Sequence, residues 1–368
     1  MSGKGINVAI IGVGLVGSAV IQQLSALPAL HIVLLQNSRK TLLSPAAAAL
    51  SSGSWADALA SSSTAALPLP ELVTKLQELA KETGRHTAVV DNTSNDDVAS
   101  FYPSLLGAGF SVVTPNKKAL SGSLDLYKQI QAATADAASG PLLYGESTVG
   151  AGLPIIGTLK DLIATGDEVE KIEGVLSGTL SYIFNEFSTA KGSDVKFSTV
   201  VKVAKENGYT EPHPDADLSG SDVSRKLTIL SRLIPSLTSA LPKGFLSVPT
   251  ASLTPEPLRD IASGEEYVAR LPEFDAHFDE MRAEALKEGK VLRYVGVIDV
   301  LKGEVKASLE RYPVTHPFAT SLTGSDNIIS FTTKRYERPL LVQGAGAGAA
   351  VTAMGVTADL IRVAERRG

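Results

Sequence analysis

Asn7 to Gly17 reads N-V-A-I-I-G-V-G-L-V-G: an apolar strand, a glycine turn and the opening of a helix. Gly12-Val13-Gly14-Leu15-Val16-Gly17 matches G-x-G-x-x-G directly after the strand. The first glycine permits a tight turn, the second lets a pyrophosphate approach the backbone, and the third lets helix and strand pack closely. The helix N-terminus adds amide donors for phosphate. Helix then runs to about Leu27, with a second strand from His31 to Leu35.

Outward from this unit the alternation continues. Thr41 to Pro70 is rich in Ala and Ser and is expected to be irregular, and Glu71 to Glu82 is an amphipathic helix. Thr87 to Asp91 is a strand ending in D-N-T-S, followed by helix to about Leu106. Ser111 to Thr114 is a strand ending in P-N-K-K, Leu124 to Ala138 a helix, and Leu142 to Tyr144 a strand. Strands alternating with helices predict an α/β protein with a Rossmann-type, doubly wound nucleotide-binding domain, whose ligands gather at the carboxyl ends of the strands. The turns Gly12–Gly17, Asp91–Ser94 and Pro115–Lys118 would meet there.

After Gly145 the character changes. Glu146 to Pro154 (E-S-T-V-G-A-G-L-P) is a glycine-rich link into a helix near Ile155 to Ala164. Val169 to Leu176 reads as strand, and Gly178 to Phe187, Phe197 to Asn207 and Ala276 to Lys287 as helices. Ser239 to Pro257 is a proline-rich connection. Val291 to Val300, Glu304 to Arg311 and Ile328 to Tyr336 alternate as strands of an antiparallel sheet, so an α+β region follows the first domain.

Composition narrows the function. The 368 residues suit two domains, and 44% hydrophobic with 20% charged content is ordinary for a globular protein. A formal charge of −5 and no basic run argue against a nucleic-acid partner. No cysteine is present, which removes disulfides, thiolate metal sites and cysteine nucleophiles and fits a reducing, cytoplasmic compartment. Met1 to Gly5 is expected to run straight into the first strand, and no signal-peptide pattern is visible in it. Leu340 to Ala358 is uncharged and contains Gly344-x-x-x-Gly348, but Gly, Ala and Thr dominate it, so it reads as a buried C-terminal helix rather than a membrane span.

Polar constellations supply the chemistry. The second strand ends in Gln36-Asn37-Ser38-Arg39-Lys40, without the acid that usually meets an NAD ribose. Arg39 and Lys40 either meet a 2′-phosphate, which favours NADP over NAD, or form a solvated basic turn. Lys117 and Lys118 either face the active edge of the sheet or lie on the surface. Gly208 to Lys226 (G-Y-T-E-P-H-P-D-A-D-L-S-G-S-D-V-S-R-K) opens with two prolines that preclude regular structure in its first half. A helix follows from Ser219 or Ser221, with Val223, Leu227, Leu230 and Ile234 along one face. Asp215-x-Asp217-x-Ser219-Gly220 imitates a calcium loop, but its twelfth position is Lys226 where a glutamate is needed. Asp222 and Lys226 stand one turn apart, as an exposed ion pair or as a lysine aimed at a carbonyl oxygen; spacing alone leans to the former.

Together these pieces resemble homoserine dehydrogenase along essentially the whole chain, in the short, fungal-type form without kinase or regulatory domain. The most specific marks are A-K-E-N-G-Y-T-E-P-H-P-D-A-D-L-S-G-S-D-V-S-R-K and E-G-V-L-S-G-T-L-S-Y-I-F-N (Glu173 to Asn185), with D-N-T-S, T-P-N-K-K-A, the glycine-rich link and the terminal G-A-G-A-G-A-A. The resemblance implies NAD(P)-dependent interconversion of L-aspartate 4-semialdehyde and L-homoserine, on the route to threonine, isoleucine and methionine. It implies Lys226 as general acid or base, Lys117 as a second catalytic lysine, and Asp222 beside them. Glu211, Asp217, Asp222, Gly178 and Thr179 would bind substrate. Gly12, Val13, Gly14, Leu15, Val16, Gly17, Arg39, Lys40, Thr93, Ser94, Lys117, Gly208 and Gly348 would face the cofactor.

The link resembles a structural monovalent-cation site, for sodium, with Glu146 and the carbonyls of Val149, Ala151 and Leu153 as ligands. The resemblance also implies a homodimer, and a division into 1–144 with 343–368 (nucleotide binding), 145–154 with 291–342 (dimerisation) and 155–290 (catalysis). One departure is Glu211-Pro212, where many members have Asp-Pro; the carboxylate survives with one more methylene of reach. Aspartate-semialdehyde dehydrogenase shares the substrate but works through a cysteine thioester, which this chain cannot form. The alternatives are a non-catalytic NADP sensor, which would keep Gly12 to Gly17 but need neither Asp222 nor Lys226, and a dehydrogenase acting on a different amino acid.

Overall fold

A computed structural model describes residues 5–44 and 46–368; Met1–Lys4, part of the expected run into the first strand, lie outside the described residues. The chain divides into two compact units, one running to Ile156 and resuming at Ala347, the other comprising Gly157–Gly346.

The first unit is built on a six-stranded sheet in the order β3-β2-β1-β4-β5-β6. Its strands are β1 Ile6–Ile11, β2 Leu30–Gln36, β3 Thr41–Leu43, β4 Thr87–Asp91, β5 Ser111–Val113 and β6 Leu143–Tyr144. All pair in parallel except β3, which runs antiparallel to β2. Successive residues of β1 point to opposite faces, and both faces are covered. Val8 and Ile10 meet Val20, Ile21 and Leu24 of the helix Leu15–Leu24 and Val356, Leu360 and Val363 of the helix Ala349–Arg367. Ala9 and Ile11 meet Leu72, Leu76 and Leu79 of the helix Leu69–Thr83. Each such fully buried aliphatic side chain contributes about 1.5–3 kcal/mol. Strand order reverses at β1, with β2 on one side and β4 on the other, so the crevice for a ligand lies beyond the carboxyl ends of β1 and β4.

The second unit carries an antiparallel sheet in the order β11-β10-β7-β8-β9. Its strands are β7 Val169–Val175, β8 Lys290–Asp299, β9 Glu304–Pro313, β10 Asp326–Thr333 and β11 Leu340–Ala345. The helices Gly178–Phe187, Ser221–Leu233 and Asp275–Lys287 pack on β8, which is buried along nearly its whole length.

Several local expectations are corrected. Thr41 to Pro70 is not irregular: it holds β3 and the short helices Ala47–Ser52 and Trp55–Ala60, the second docked by buried Trp55 and Leu59. Leu340 to Ala358 is not one helix. Leu340–Ala345 pairs with β10 as an edge strand, and helix begins only at Ala349, because the intervening glycines break it. The helix from Leu124 stops at Ala133, ahead of a turn in which Asp136 accepts the amides of Ala138 and Ser139. Asp215–Leu218 forms a helical turn after Pro214, which stands at the N-cap, where its missing N–H costs nothing. Among the described residues no helix is long and apolar enough to cross a membrane.

Candidate active site

The glycine turn has the geometry its spacing predicts. Gly12 has φ +87°, and a Cβ there would lie 2.8 Å from Thr93 Cγ2. A Cβ on Gly17 would sit 2.1 Å from the Gly12 carbonyl oxygen, whereas one on Gly14 would meet nothing within 4 Å. Gly14 is therefore the place where a ligand can reach the backbone. The helix that follows has no side-chain cap and no acid in its first turn, which leaves its N-terminal amides for an anion. Leu15 is 85% exposed, while Val13 and Val16 are half-buried.

At the end of β2, Gln36 is buried and braces the next loop: its Oε1 accepts Thr41 Oγ1 at 2.7 Å and the Leu67 amide at 3.1 Å. Asn37 Oδ1 accepts the amides of both Arg39 and Lys40 at 2.8 Å. Lys40 turns inward and donates to the Ser62 carbonyl at 2.7 Å, whereas Arg39 stays exposed. The two basic residues, equal in sequence, differ in what they can meet.

Beyond β4 and β5 the predicted turns are tied together. Asp91 is wholly buried and accepts Thr93 N at 2.8 Å, Thr93 Oγ1 at 2.6 Å, Tyr102 Oη at 2.6 Å and Asn116 Nδ2 at 3.0 Å. Burial and the neighbouring Asp91 charge push the Tyr102 phenol well above its ordinary range. Ser94 is exposed beside Thr93. Lys117 is half-buried at the start of the short helix Lys118–Ser121, and its carbonyl accepts Ser121 N and Oγ at 2.8 Å. Lys118 pairs instead with Asp96. The meeting of the turns Asp91–Ser94 and Pro115–Lys118 is as the sequence predicts, whereas the part taken by the Tyr102 hydroxyl carries no sequence signal.

In the glycine-rich link, Glu146 is buried and its Oε1 accepts the amides of Ile155 and Ile156, at 2.8 and 2.7 Å, at the start of the helix Ile156–Ala164. Asp359 accepts the Glu146 amide at 2.9 Å and Arg362 Nη1 at 2.6 Å; burial above all pushes the Asp359 carboxyl up to about 6. Gly150 and Ala151 both have positive φ, +75° and +55°, which folds the link into a tight turn. Val149, Ala151 and Leu153 lie in this turn, and the Leu153 carbonyl accepts the Ile155 amide at 2.8 Å. Among the described residues no group of three His, Cys, Asp or Glu could hold a metal, but one carboxylate with backbone carbonyls is an all-oxygen set that suits a hard cation.

In the second unit, Gly220 ends the acidic loop with φ +74° and starts the helix Ser221–Leu233. A Cβ on it would lie 1.9 Å from Tyr294 Oη of β8, so glycine alone lets this helix start so close to the sheet. Lys226, one turn in, is only 6% exposed. Its Nζ donates to the Leu176 carbonyl at 2.5 Å and pairs with Asp222 Oδ2 at 2.8 Å, while the Asp222 side chain remains 46% exposed. The exposed-pair alternative is thereby overturned, because the apolar face of the helix draws the lysine into the interior with it.

Around it, Thr179 in the first turn of the helix Gly178–Phe187 donates between the Tyr209 carbonyl, at 2.6 Å, and Asp217 Oδ1, at 2.9 Å. Asp217 Oδ2 accepts the Glu211 amide at 2.8 Å, leaving the Glu211 side chain exposed. Burial raises the Asp217 carboxyl above its ordinary range; bonds from Glu211 N and Thr179 oppose this, and the charges of Glu211 and Asp222 add to it. Asp215, without an expected role, accepts Thr254 Oγ1 at 2.6 Å and braces the loop. Gly208, φ +70°, is exposed. In the first unit, Gly348 caps the helix Ala349–Arg367.

Known proteins share both the pattern and the fold. The family model "Homoserine dehydrogenase, NAD binding domain" matches residues 12–140, and "Homoserine dehydrogenase" matches residues 154–361. The homoserine dehydrogenase of Saccharomyces cerevisiae is 48% identical over 370 residues, spanning 100% of both chains. The chain belongs to the homoserine dehydrogenase family. It is accordingly an NAD(P)-dependent oxidoreductase with a small-molecule substrate, interconverting L-aspartate 4-semialdehyde and L-homoserine by hydride transfer in amino-acid biosynthesis. A crystal structure of a Candida auris protein of unknown function superposes with TM-score 0.90 at 48% identity, covering 99% of each chain. An archaeal homoserine dehydrogenase in complex with NADPH shares the fold at TM-score 0.68 and 22% identity, covering 98% of each chain.

Proposed function

We propose that Lys226 is the group that exchanges a proton with the substrate oxygen. The carrying observation is its burial between the Leu176 carbonyl and Asp222, on the helix that closes the family's most specific sequence segment. Bound nicotinamide supplies or accepts the hydride. Lys226 protonates the oxygen that becomes the homoserine hydroxyl, and in the opposite direction accepts the hydroxyl proton. Asp222, half in solvent, holds Lys226 and faces the substrate ammonium together with Glu211. Asp217 serves that site by fixing the Glu211 backbone, and Gly178 and Thr179 open the helix at its wall. Lys117 stabilises charge that gathers on the reacting oxygen.

On the cofactor side, Gly12 to Gly17 receive the pyrophosphate, with Thr93, Ser94, Gly208 and Gly348 completing the contacts. NADP is preferred over NAD, with exposed Arg39 meeting the 2′-phosphate and Lys40 holding the loop behind it. Glu146 with the carbonyls of Val149, Ala151 and Leu153 holds a structural monovalent cation, sodium. The chain acts as a homodimer through 145–154 and 291–342, with 155–290 catalytic and 1–144 with 343–368 binding nucleotide, and takes no nucleic acid.

Homoserine plus NADP, followed at the nicotinamide absorbance, tests the central assignment. Lys226→Ala should bind cofactor normally and lose turnover by about 10²–10⁴-fold. Normal turnover in that variant would remove the proton-transfer role.

A further inference from the structure

Asp91 closes β4 with a carboxylate wholly removed from water. A carboxylate offers roughly four lone-pair positions, and four neutral donors occupy them here. The two oxygens serve different turns. Oδ1 takes the amide and hydroxyl of Thr93, after β4; Oδ2 takes Asn116 Nδ2, after β5, and the Tyr102 hydroxyl.

The connections run on into the second turn. Thr114 Oγ1 donates to the Asp91 carbonyl at 2.8 Å and accepts the Asn116 amide at 2.8 Å. Asn116 Nδ2 also reaches the Asn95 carbonyl at 3.1 Å, and its Oδ1 accepts the Lys118 amide at 3.1 Å. Lys117 is thus held between two residues whose backbone is fixed by this network. On the other side, Thr93 Cγ2 fills the space a Cβ on Gly12 would need, so the rotamer of Thr93 forms the wall of the glycine turn.

Burying a charge with only neutral partners is expensive, and an apolar side chain would serve packing alone at less cost. The position also matters, because β4 and β1 flank the crevice where strand order reverses. We propose that Asp91 is a positioning residue that couples the cofactor turn at Thr93 to the lysine turn at Lys117. One buried carboxylate holds both in register, so cofactor binding and turnover depend on the same group. This rests on the assignment of Thr93 to the cofactor and Lys117 to catalysis.

Asp91→Asn tests it, since an amide nitrogen must face one pair of donors whichever way it turns. The NADP dissociation constant, read by titration of nicotinamide fluorescence, should rise and kcat should fall, each about 10–100-fold per folded molecule. Asn116→Ala breaks only the lysine arm and should lower kcat about tenfold while NADP affinity changes less than about twofold. Thr93→Ala breaks the other arm and should weaken NADP with the smaller effect on kcat. A lowered Tm for Asp91→Asn, with wild-type NADP affinity and kcat per folded molecule, would make Asp91 merely structural and overturn the proposal. If Asp91→Asn does not fold, wild-type values in both Asn116→Ala and Thr93→Ala overturn it equally. Lys117→Ala keeps the two readings apart: normal turnover there sinks the catalytic role of Lys117, whereas an inactive Lys117→Ala beside a wild-type Asp91→Asn sinks the coupling alone.

Discussion

Lys226 lies inside a regular helix, buried, with its ammonium clamped by a carbonyl and a carboxylate. Lys117 begins a helix of a single turn, half-buried, and is placed by what its backbone neighbours do. The first unit carries its lysine on a turn of fixed backbone; the second buries its lysine inside a regular helix. A buried side chain clamped between a carbonyl and a carboxylate tolerates little change of shape, whereas a half-buried one has more room for a longer cation.

Arginine substitutions should break or sharpen that contrast most. Lys226→Arg puts a planar fork where a compact ammonium fits and should cost kcat about 10²–10³-fold, nearly as much as removal. Lys117→Arg should cost only about tenfold, because it keeps the charge at a half-buried position and leaves the backbone anchors of Asn116 and Lys118 in place. Equal losses at the two positions in steady-state assays would abolish the distinction. Next in size, Gly220→Ala attacks the geometry that brings Lys226 inward. Positive φ and the contact with Tyr294 predict a loss of about 1–3 kcal/mol in urea unfolding, with kcat falling as well. Unchanged stability would mean that the start of the helix can shift without harm.

The smallest effect concerns Asp217. Its carboxyl binds a proton more tightly when folded, so its contribution to stability is full below the ordinary aspartate value and is lost as pH rises through the raised one. Asp217→Asn lacks that slope. The Tm of the variant minus that of the native chain should therefore climb with pH across this window. A difference that stays flat in thermal melts would show that Asp217 does not titrate as described.

What could be read in advance follows the range of the interactions. The glycine turn was legible because its spacing and its strand-helix setting are both local. Asp222 and Lys226 were legible as a pair, but their burial was not, since it depends on Leu176, fifty positions earlier, and on β8 further along the chain. The Asp91 network was hidden for the same reason: Tyr102 and Asn116, 11 and 25 positions on, meet Asp91 only once the chain is folded. Arg39 and Lys40 looked interchangeable until Ser62 claimed one of them. The uncharged stretch from Leu340 misled because a run of Gly, Ala and Val fits an edge strand and a buried helix equally well by composition.

The helix Ala349–Arg367 has a consequence in time rather than space. It covers one face of the first sheet with Ala353, Val356, Leu360 and Val363, yet it follows the whole second unit in the chain. During synthesis, at about 5–20 residues per second, the second unit is complete before this helix exists. Until then the part of that face not covered by the helix Leu15–Leu24 stays open, so the first unit is completed only after the inserted unit that it encloses in sequence. A nascent chain stalled before Ala349 should hold a protected β8 and a β1 less protected than in the complete chain.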